Sequence, residues 1–194
     1  MSIKDYRRKR NLARSGEPKG SSRSPGDAPI FVIQKHDAST LHYDFRLEVD
    51  GVLKSWAVPK GPSTDPSDKR LAIETEDHPL DYAEFEGIIP KEEYGGGTVL
   101  IWDRGPYENI TWKNDDLMPM EEALAAGHVL VRLKGRKLAG GYALQRIDDE
   151  KGQWLLVKMD DEEADARRNP VSTEPKSVVS GRTLEDIAEE EKDA

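Results

Sequence analysis

The sequence predicts a mainly β fold, an antiparallel barrel or sandwich with short helices at its periphery. Three observations carry this reading. Between residues 30 and 158 the apolar runs are short and are separated by turn residues. Asp50–Gly51 joins two of these runs in the pattern of a tight hairpin. The strands recur at the spacing of closed or sandwiched antiparallel sheets. With 36% hydrophobic and 35% charged residues in 194, the chain can bury one core but not two.

In order, IFVIQKH and LHYDFRLEV are β-rich runs, and Asp50–Gly51 hands the second to VLKSWAV. RLAIETE, TVLIWD, HVLVRLKG, YALQRI and QWLLVKM supply further strands. MPMEEALAA reads as a short helix closed by Gly127, and SGRTLEDIAEEE as a terminal helix capped by Thr183. Gly95–Gly97 opens a strand without the Lys-Ser/Thr of a phosphate-binding loop, so it reads as a bulge or tight corner. His128 is expected to be structural, and Trp56, Trp102, Trp112 and Trp154 mostly core. The organisation that follows is a basic arm and Gly/Ser/Pro linker over 1–29, a β domain over 30–160, and an acidic segment over 161–194. The arm is expected to run extended or to be ordered only by docking.

Composition excludes several classes. No apolar run reaches the roughly 18 residues of a membrane span, and MSIKDYRRKRNLARSG lacks the apolar stretch of a secretory signal. The absence of cysteine removes disulfides, thiol nucleophiles and sulfur-based zinc sites. A cytoplasmic setting without membrane association is the expectation. The net charge of −9 is unevenly spread: residues 1–23 hold eight Lys/Arg and two Asp/Glu, whereas 160–194 hold five basic and twelve acidic residues. A basic arm of this kind marks a polyanion partner, and an acidic tail reads as a solvated segment.

Three of the four histidines fall in QKHDASTLHYDFRLEVDG and ETEDHPLDYAEFEG. Residues two apart on a strand share a face, so His42, Asp44 and Arg46 point one way while Tyr43, Phe45 and Leu47 point to the core. His36 ends the preceding strand and can join them around a turn. Two histidines and a carboxylate form a facial metal site open to zinc, manganese or iron. Arg46 adds a planar fork of donors suited to phosphate. The bland alternative is a wet strand face with a surface ion pair. His78 and Tyr82, read as lying outside regular elements, could donate protons or clamp phosphate. Lys60 and Arg70 add cations beside strand ends.

The segments FVIQKHDASTLHYDFRLEVDGVLKSWAVPKGPS, RLAIETEDHPLDYAEFEGIIP and EYGGGTVLIWDRG closely resemble the 3′-phosphoesterase module of bacterial DNA ligase D. The resemblance runs from YRRKR to SVVSGRTLEDIA. It implies a compact antiparallel β-barrel enzyme, dependent on manganese or a similar ion such as zinc or cobalt, that heals 3′ ends of DNA or RNA/DNA primer–templates. A phosphodiesterase step would remove a 3′-terminal ribonucleoside, and a phosphomonoesterase step would then leave a 3′-hydroxyl. The resemblance places metal ligands on His36, His42 and Asp44. It places phosphate-binding and catalytic roles on Arg46, His78 and Tyr82, and supporting roles on Gln34, Lys60, Arg70, Glu76, Arg10 and Glu17. Asn11 stands where the family usually has Asp. The ligase and polymerase modules have no counterpart in these residues, so a stand-alone phosphoesterase is expected, with Ku and a separate ligase as candidate partners. Two rivals are a non-haem iron oxygenase, which would use the same triad, and a non-catalytic 3′-end-binding repair subunit, which would not need an open metal.

Overall fold

The computed structural model describes residues 2–18 and 28–192, so most of the expected linker lies outside the described residues. The strands are β1 (Ile30–Asp37), β2 (Leu41–Val49), β3 (Val52–Val58), β4 (Arg70–His78), β5 (Gly87–Ile89), β6 (Gly97–Asn109), β7 (Trp112–Lys113), β8 (Asp116–Leu117), β9 (His128–Lys134), β10 (Ala139–Asp148) and β11 (Gln153–Lys158). Eight of them follow the order β1-β2-β3-β4-β11-β10-β9-β6, and β6 pairs back onto β1. That last pairing closes a barrel and excludes the sandwich. β5 hangs on the first residues of β6, and β7–β8 form a separate small hairpin. The β2–β3 turn has φ of 52° at Asp50 and 80° at Gly51. A two-residue hairpin turn with both centres left-handed matches the twist of its flanking strands.

Alternation sorts each strand into two faces. Phe31 and Ile33, Tyr43, Phe45 and Leu47, Trp56 and Val58, and Leu100 and Trp102 turn inward with Trp154 and Leu156 as one core. A second, smaller apolar cluster lies on the outer wall. It joins Val32, Leu53 and Ile101 of the strands to Tyr6, Leu80, Tyr82 and Ala83 of the segments that cover them. A candidate pocket forms at the edge of this outer cluster, with Tyr82 shared by both.

Two covering segments add to the sequence reading. Of the two expectations for the basic arm, extended or ordered by docking, the structure shows the second: it folds as α1 (Ile3–Lys9) and α2 (Leu12–Ser15), and α1 rests against β4. Tyr6 is fully buried, and its hydroxyl donates to Pro18 O at 2.5 Å. The acidic C-terminal segment is not merely solvated. It contains α4 (Pro170–Thr173) and α5 (Leu184–Glu191), and Leu184 and Ile187, three apart on one helix face, enter the main core. Arg182 offsets its acidity by pairing with Glu86, Glu190 and Glu191. Thr183 caps α5 by accepting from Asp186 N at 3.1 Å. The remaining helix, α3 (Met120–Ala126), ends at Gly127 with φ of 78°. Trp112 departs from the expected core set, at 61% exposure on the β7–β8 hairpin. No helix among the described residues is long and apolar enough to cross a membrane.

Candidate active site

β1 and β2 pair so that His36 lies opposite His42 and Gln34 opposite Asp44. Their outer faces therefore bring His36, His42, Asp44 and Arg46 together beside the barrel wall. His36 Nδ1 lies 3.4 Å from Asp44 Oδ2, and His42 Nε2 lies 3.2 Å from Asp44 Oδ1. Potential ligand atoms of the three residues all fall within 4.8 Å of one another. The other nitrogen of each ring meets a backbone carbonyl: His36 Nε2 approaches Gly95 O at 2.8 Å, and His42 Nδ1 approaches Thr40 O at 3.1 Å. A carbonyl only accepts, so each of those nitrogens carries a proton, and the ring nitrogen that faces Asp44 is the one that could turn a lone pair to a bound cation. Three electron-rich donors facing one another fit a cation.

Gly95–Gly97 is a corner, and its geometry serves the site. Gly97 has φ of 146°, and a Cβ there would stand 2.1 Å from Asp37 O. Only glycine lets this chain approach the end of β1 closely enough for Gly95 O to hold His36.

Arg46 is buried among fixed partners. Its Nε donates to Gln34 Oε1 at 2.8 Å, its Nη2 lies 3.5 Å from Asp44 Oδ2, and its Nη1 lies 3.3 Å from His78 Nδ1. Gln34 Nε2 in turn donates to Tyr82 O and Phe85 O at 2.8 and 3.1 Å. Burial opposes ionisation of Asp44, but Arg46 and the two histidines outweigh it and hold the carboxyl well below its usual range. For His42, burial works against the proton, while hydrogen bonding and charge from Asp44 raise the pKa on balance.

His78 reaches the pocket through a bulge. Ser55 pairs with Thr75 but Leu53 pairs with His78, so β4 carries one extra residue between them. That residue returns His78 to the outer face, at the last position of β4. Tyr82 follows in a 3-10 helix (Leu80–Glu84), so both residues sit on regular elements, contrary to the sequence reading. His78 Nδ1 lies 2.9 Å from Glu76 O, which makes it the protonated nitrogen. Burial, followed by Arg46 and Arg10, pushes the His78 pKa well below its ordinary value, so the ring is neutral at pH 7. Burial, and then Glu17, keep the Tyr82 hydroxyl protonated, and it donates to Glu17 Oε2 at 2.9 Å.

The folded arm completes the pocket. Arg10 Nε donates to Glu17 Oε2 at 2.9 Å and Nη1 to Glu76 Oε1 at 2.8 Å, while Nη2 lies 3.4 Å from His78 Nε2. Lys9 Nζ lies 3.4 Å from Glu76 Oε2. Lys9 and Arg10 thus neutralise carboxylates of the site itself. Asn11 is exposed at the N-cap of α2, and its side chain makes no capping bond.

The resulting pocket of about 270 Å³ is lined by Arg10, His36, His42, Asp44, Arg46, Glu76, His78 and Tyr82, with Tyr94 and Gly95 at the glycine corner. Gln34 and Glu17 stand behind this lining and hold Arg46, Arg10 and Tyr82. Lys60 and Arg70 are not brought into the lining. Lys60 is exposed in the turn after β3. Arg70 shares its strand face with the core residue Ala72 and pairs with Asp68 at 3.6 Å. Sequence reasoning missed Tyr6, Lys9, Thr75 and Tyr94. Only Tyr94, an aromatic beside a glycine corner, offered a local signal.

Comparison with known proteins places the chain in a family. The DNA Ligase D 3'-phosphoesterase domain family matches residues 34–146. The multifunctional non-homologous end joining protein LigD of Pseudomonas aeruginosa is 47% identical over 188 residues, covering 94% of this chain and 22% of that protein. The corresponding DNA repair protein LigD of Mycobacterium tuberculosis is 46% identical over 155 residues, covering 79% of this chain and 19% of its own length. The chain thus spans about a fifth of the curated relatives it matches. From these similarities, which span nearly the whole chain, it belongs to the DNA ligase D 3'-phosphoesterase domain family.

Proposed function

We propose that the pocket is a divalent-metal-dependent 3′-phosphoesterase site that processes 3′ ends during DNA break repair. In this reading it removes a 3′-terminal ribonucleoside as a phosphodiesterase and then the 3′-phosphate as a phosphomonoesterase, leaving a 3′-hydroxyl. The observation that carries it is the joining of the His36–His42–Asp44 cluster to an anchored, buried guanidinium on the same strand face. A carboxylate-facing triad alone would also suit an oxygenase; the guanidinium is what suits a phosphate.

His36, His42 and Asp44 would hold manganese, or zinc or cobalt in its place. The ion, when bound, polarises a phosphoryl oxygen and lowers the pKa of coordinated water. Formal charge supports an anionic substrate. Lys9, Arg10 and Arg46 balance Asp44, Glu76 and Glu17, so a divalent cation leaves the pocket with the charge that a phosphomonoester dianion neutralises.

Arg46 then binds phosphoryl oxygens with a fork already oriented by Gln34, so little reorganisation is needed when charge develops. His78 enters as a neutral ring whose Nδ1 proton is committed to Glu76 O, and Nε2 is the atom left to meet a substrate or accept from Arg10. This favours a positioning and hydrogen-bonding role over proton donation. The Tyr82 hydroxyl, protonated and tied to Glu17, fixes the floor beside it. DNA or RNA/DNA primer–template ends are the substrates of this reading, with Ku and a separate ligase as the partners it calls for in the cytoplasm.

The test is a labelled primer–template ending in one ribonucleotide, incubated with manganese or with excess EDTA. Manganese should yield first the 3′-phosphate and then the 3′-hydroxyl. Absence of both products, or undiminished products in EDTA, overturns the reading.

A further inference from the structure

We propose that Tyr94 is the stacking platform for the base of the 3′-terminal nucleoside, and that it makes the pocket discriminate between ends that carry a base and ends that do not. The inference rests on the phosphoesterase reading for the position of the phosphate, and it adds a residue that selects the nucleoside.

The pocket is too small to enclose the whole substrate end. Its volume of about 270 Å³ falls just under the roughly 300–1,000 Å³ of sites that bury a drug-sized ligand. Its inner wall is committed to the metal-ligating cluster, Arg46 and His78, all suited to a phosphate. With the phosphate there, the attached sugar reaches the opening and its base lies at the rim.

Tyr94 stands in that lining and, unlike the buried aromatics Tyr6 and Tyr82, is 48% exposed. An aromatic ring left half in water beside a buried polar pocket has a free hydrophobic surface to cover. The cations of the arm brace it: Lys9 Nζ lies 5.2 Å and the Arg10 guanidinium 5.1 Å from its ring centroid. Its neighbour Gly95 bonds His36, so the ring is carried by the same rigid corner that orients a metal ligand. A braced ring loses little freedom on stacking, and every base has a face to offer it.

The experiment compares two primer–templates that differ only at the primer terminus, one ending in a ribonucleotide and the other in an abasic ribose. Binding is measured by anisotropy in EDTA, and cleavage as kcat/KM in manganese. Stacking of one base corresponds to roughly 5- to 150-fold in affinity. Wild type should prefer the base-bearing end by about tenfold. Tyr94→Ala should shrink that preference to within about twofold, while Tyr94→Phe and Tyr94→Trp keep it. The inference is overturned if wild type shows no preference, if Tyr94→Ala retains it, or if Tyr94→Phe loses as much as Tyr94→Ala. A wild type that forms no product in manganese would defeat the phosphoesterase reading alone, since the binding comparison still reports on the base.

Discussion

Arg10 and His78 are 68 residues apart in the chain, yet Arg10 Nη2 lies 3.4 Å from His78 Nε2. The contact makes the N-terminal helices part of the pocket wall, because the same guanidinium is held between Glu17 and Glu76. All three side chains are nearly inaccessible, at 6%, 0% and 3% exposure. Removing one partner of a buried ionic group leaves uncompensated charge and costs about 3–5 kcal/mol. Arg10→Ala should lower stability on that scale in urea denaturation and also impair end processing. An unchanged denaturation midpoint would mean that the arm docks without Arg10.

Asp44→Asn separates charge from shape at the cluster. A neutral amide in the same place cannot balance a divalent ion between two imidazoles. Manganese at a hundred times its Kd should stabilise wild type by about 2.7 kcal/mol, as for any ligand that binds only the folded state. Thermal unfolding with and without manganese should show this gain in wild type and essentially none in Asp44→Asn, with both activities lost. A full manganese-induced shift in the variant would place the ion elsewhere.

The row His42–Asp44–Arg46 was legible in the sequence because β2 alternates without interruption: Tyr43, Phe45, Leu47 and Val49 all face the core, and the polar residues between them inherit one outer face. His36 was legible for the related reason that a tight connection pairs it with His42. The position of His78 was not, because a bulge adds one residue to β4 and periodicity carries no trace of the shift. The helical form of α1 was hidden by composition. Its one fully buried aromatic, Tyr6, sits among Lys4, Asp5, Arg7 and Arg8, and the cations find their carboxylates only in the folded state. The C-terminal segment misled likewise, since two apolar residues among many acids decide its packing. Charge runs describe solvation well only where nothing apolar is interleaved with them.

The neutral state of His78 predicts how its loss will be felt. A group that donates a proton to the leaving oxygen matters most when the leaving group is poor. A ring that only positions and hydrogen-bonds helps good and poor leaving groups alike. His78→Ala should therefore reduce kcat/KM for an activated aryl phosphodiester and for a ribonucleoside end by similar factors, each at least about tenfold. A loss confined to the ribonucleoside substrate would show that His78 acquires a proton in the complex and delivers it.

Lys137 predicts a pH effect on stability far from the pocket. Its Nζ donates to Glu174 O at 2.9 Å and to Lys176 O, and lies 4.7 Å from the Trp102 ring centroid. These contacts tie the C-terminal segment to the barrel. Burial pushes its pKa down to about 8, and Asp103 and Glu174 only partly oppose this. The ordinary value is 10.5, so above pH 8 the unfolded chain holds a proton that the folded chain has released. Stability therefore rises with pH across this interval, since the unfolded state binds more protons. The amine, once neutral, still donates to both carbonyls, so the tie survives the titration. Above pH 10 the buried tyrosines Tyr6, Tyr107 and Tyr142 act in the opposite sense, because their raised pKa values favour ionisation in the unfolded chain. The useful window is pH 7.5–9.5, and the useful quantity is the difference from Lys137→Met, which fills similar space without titrating. Wild type should gain stability relative to Lys137→Met in urea denaturation as the pH rises through the window. A constant or shrinking difference would mean that Lys137 keeps its proton, with its two carbonyl partners outweighing burial.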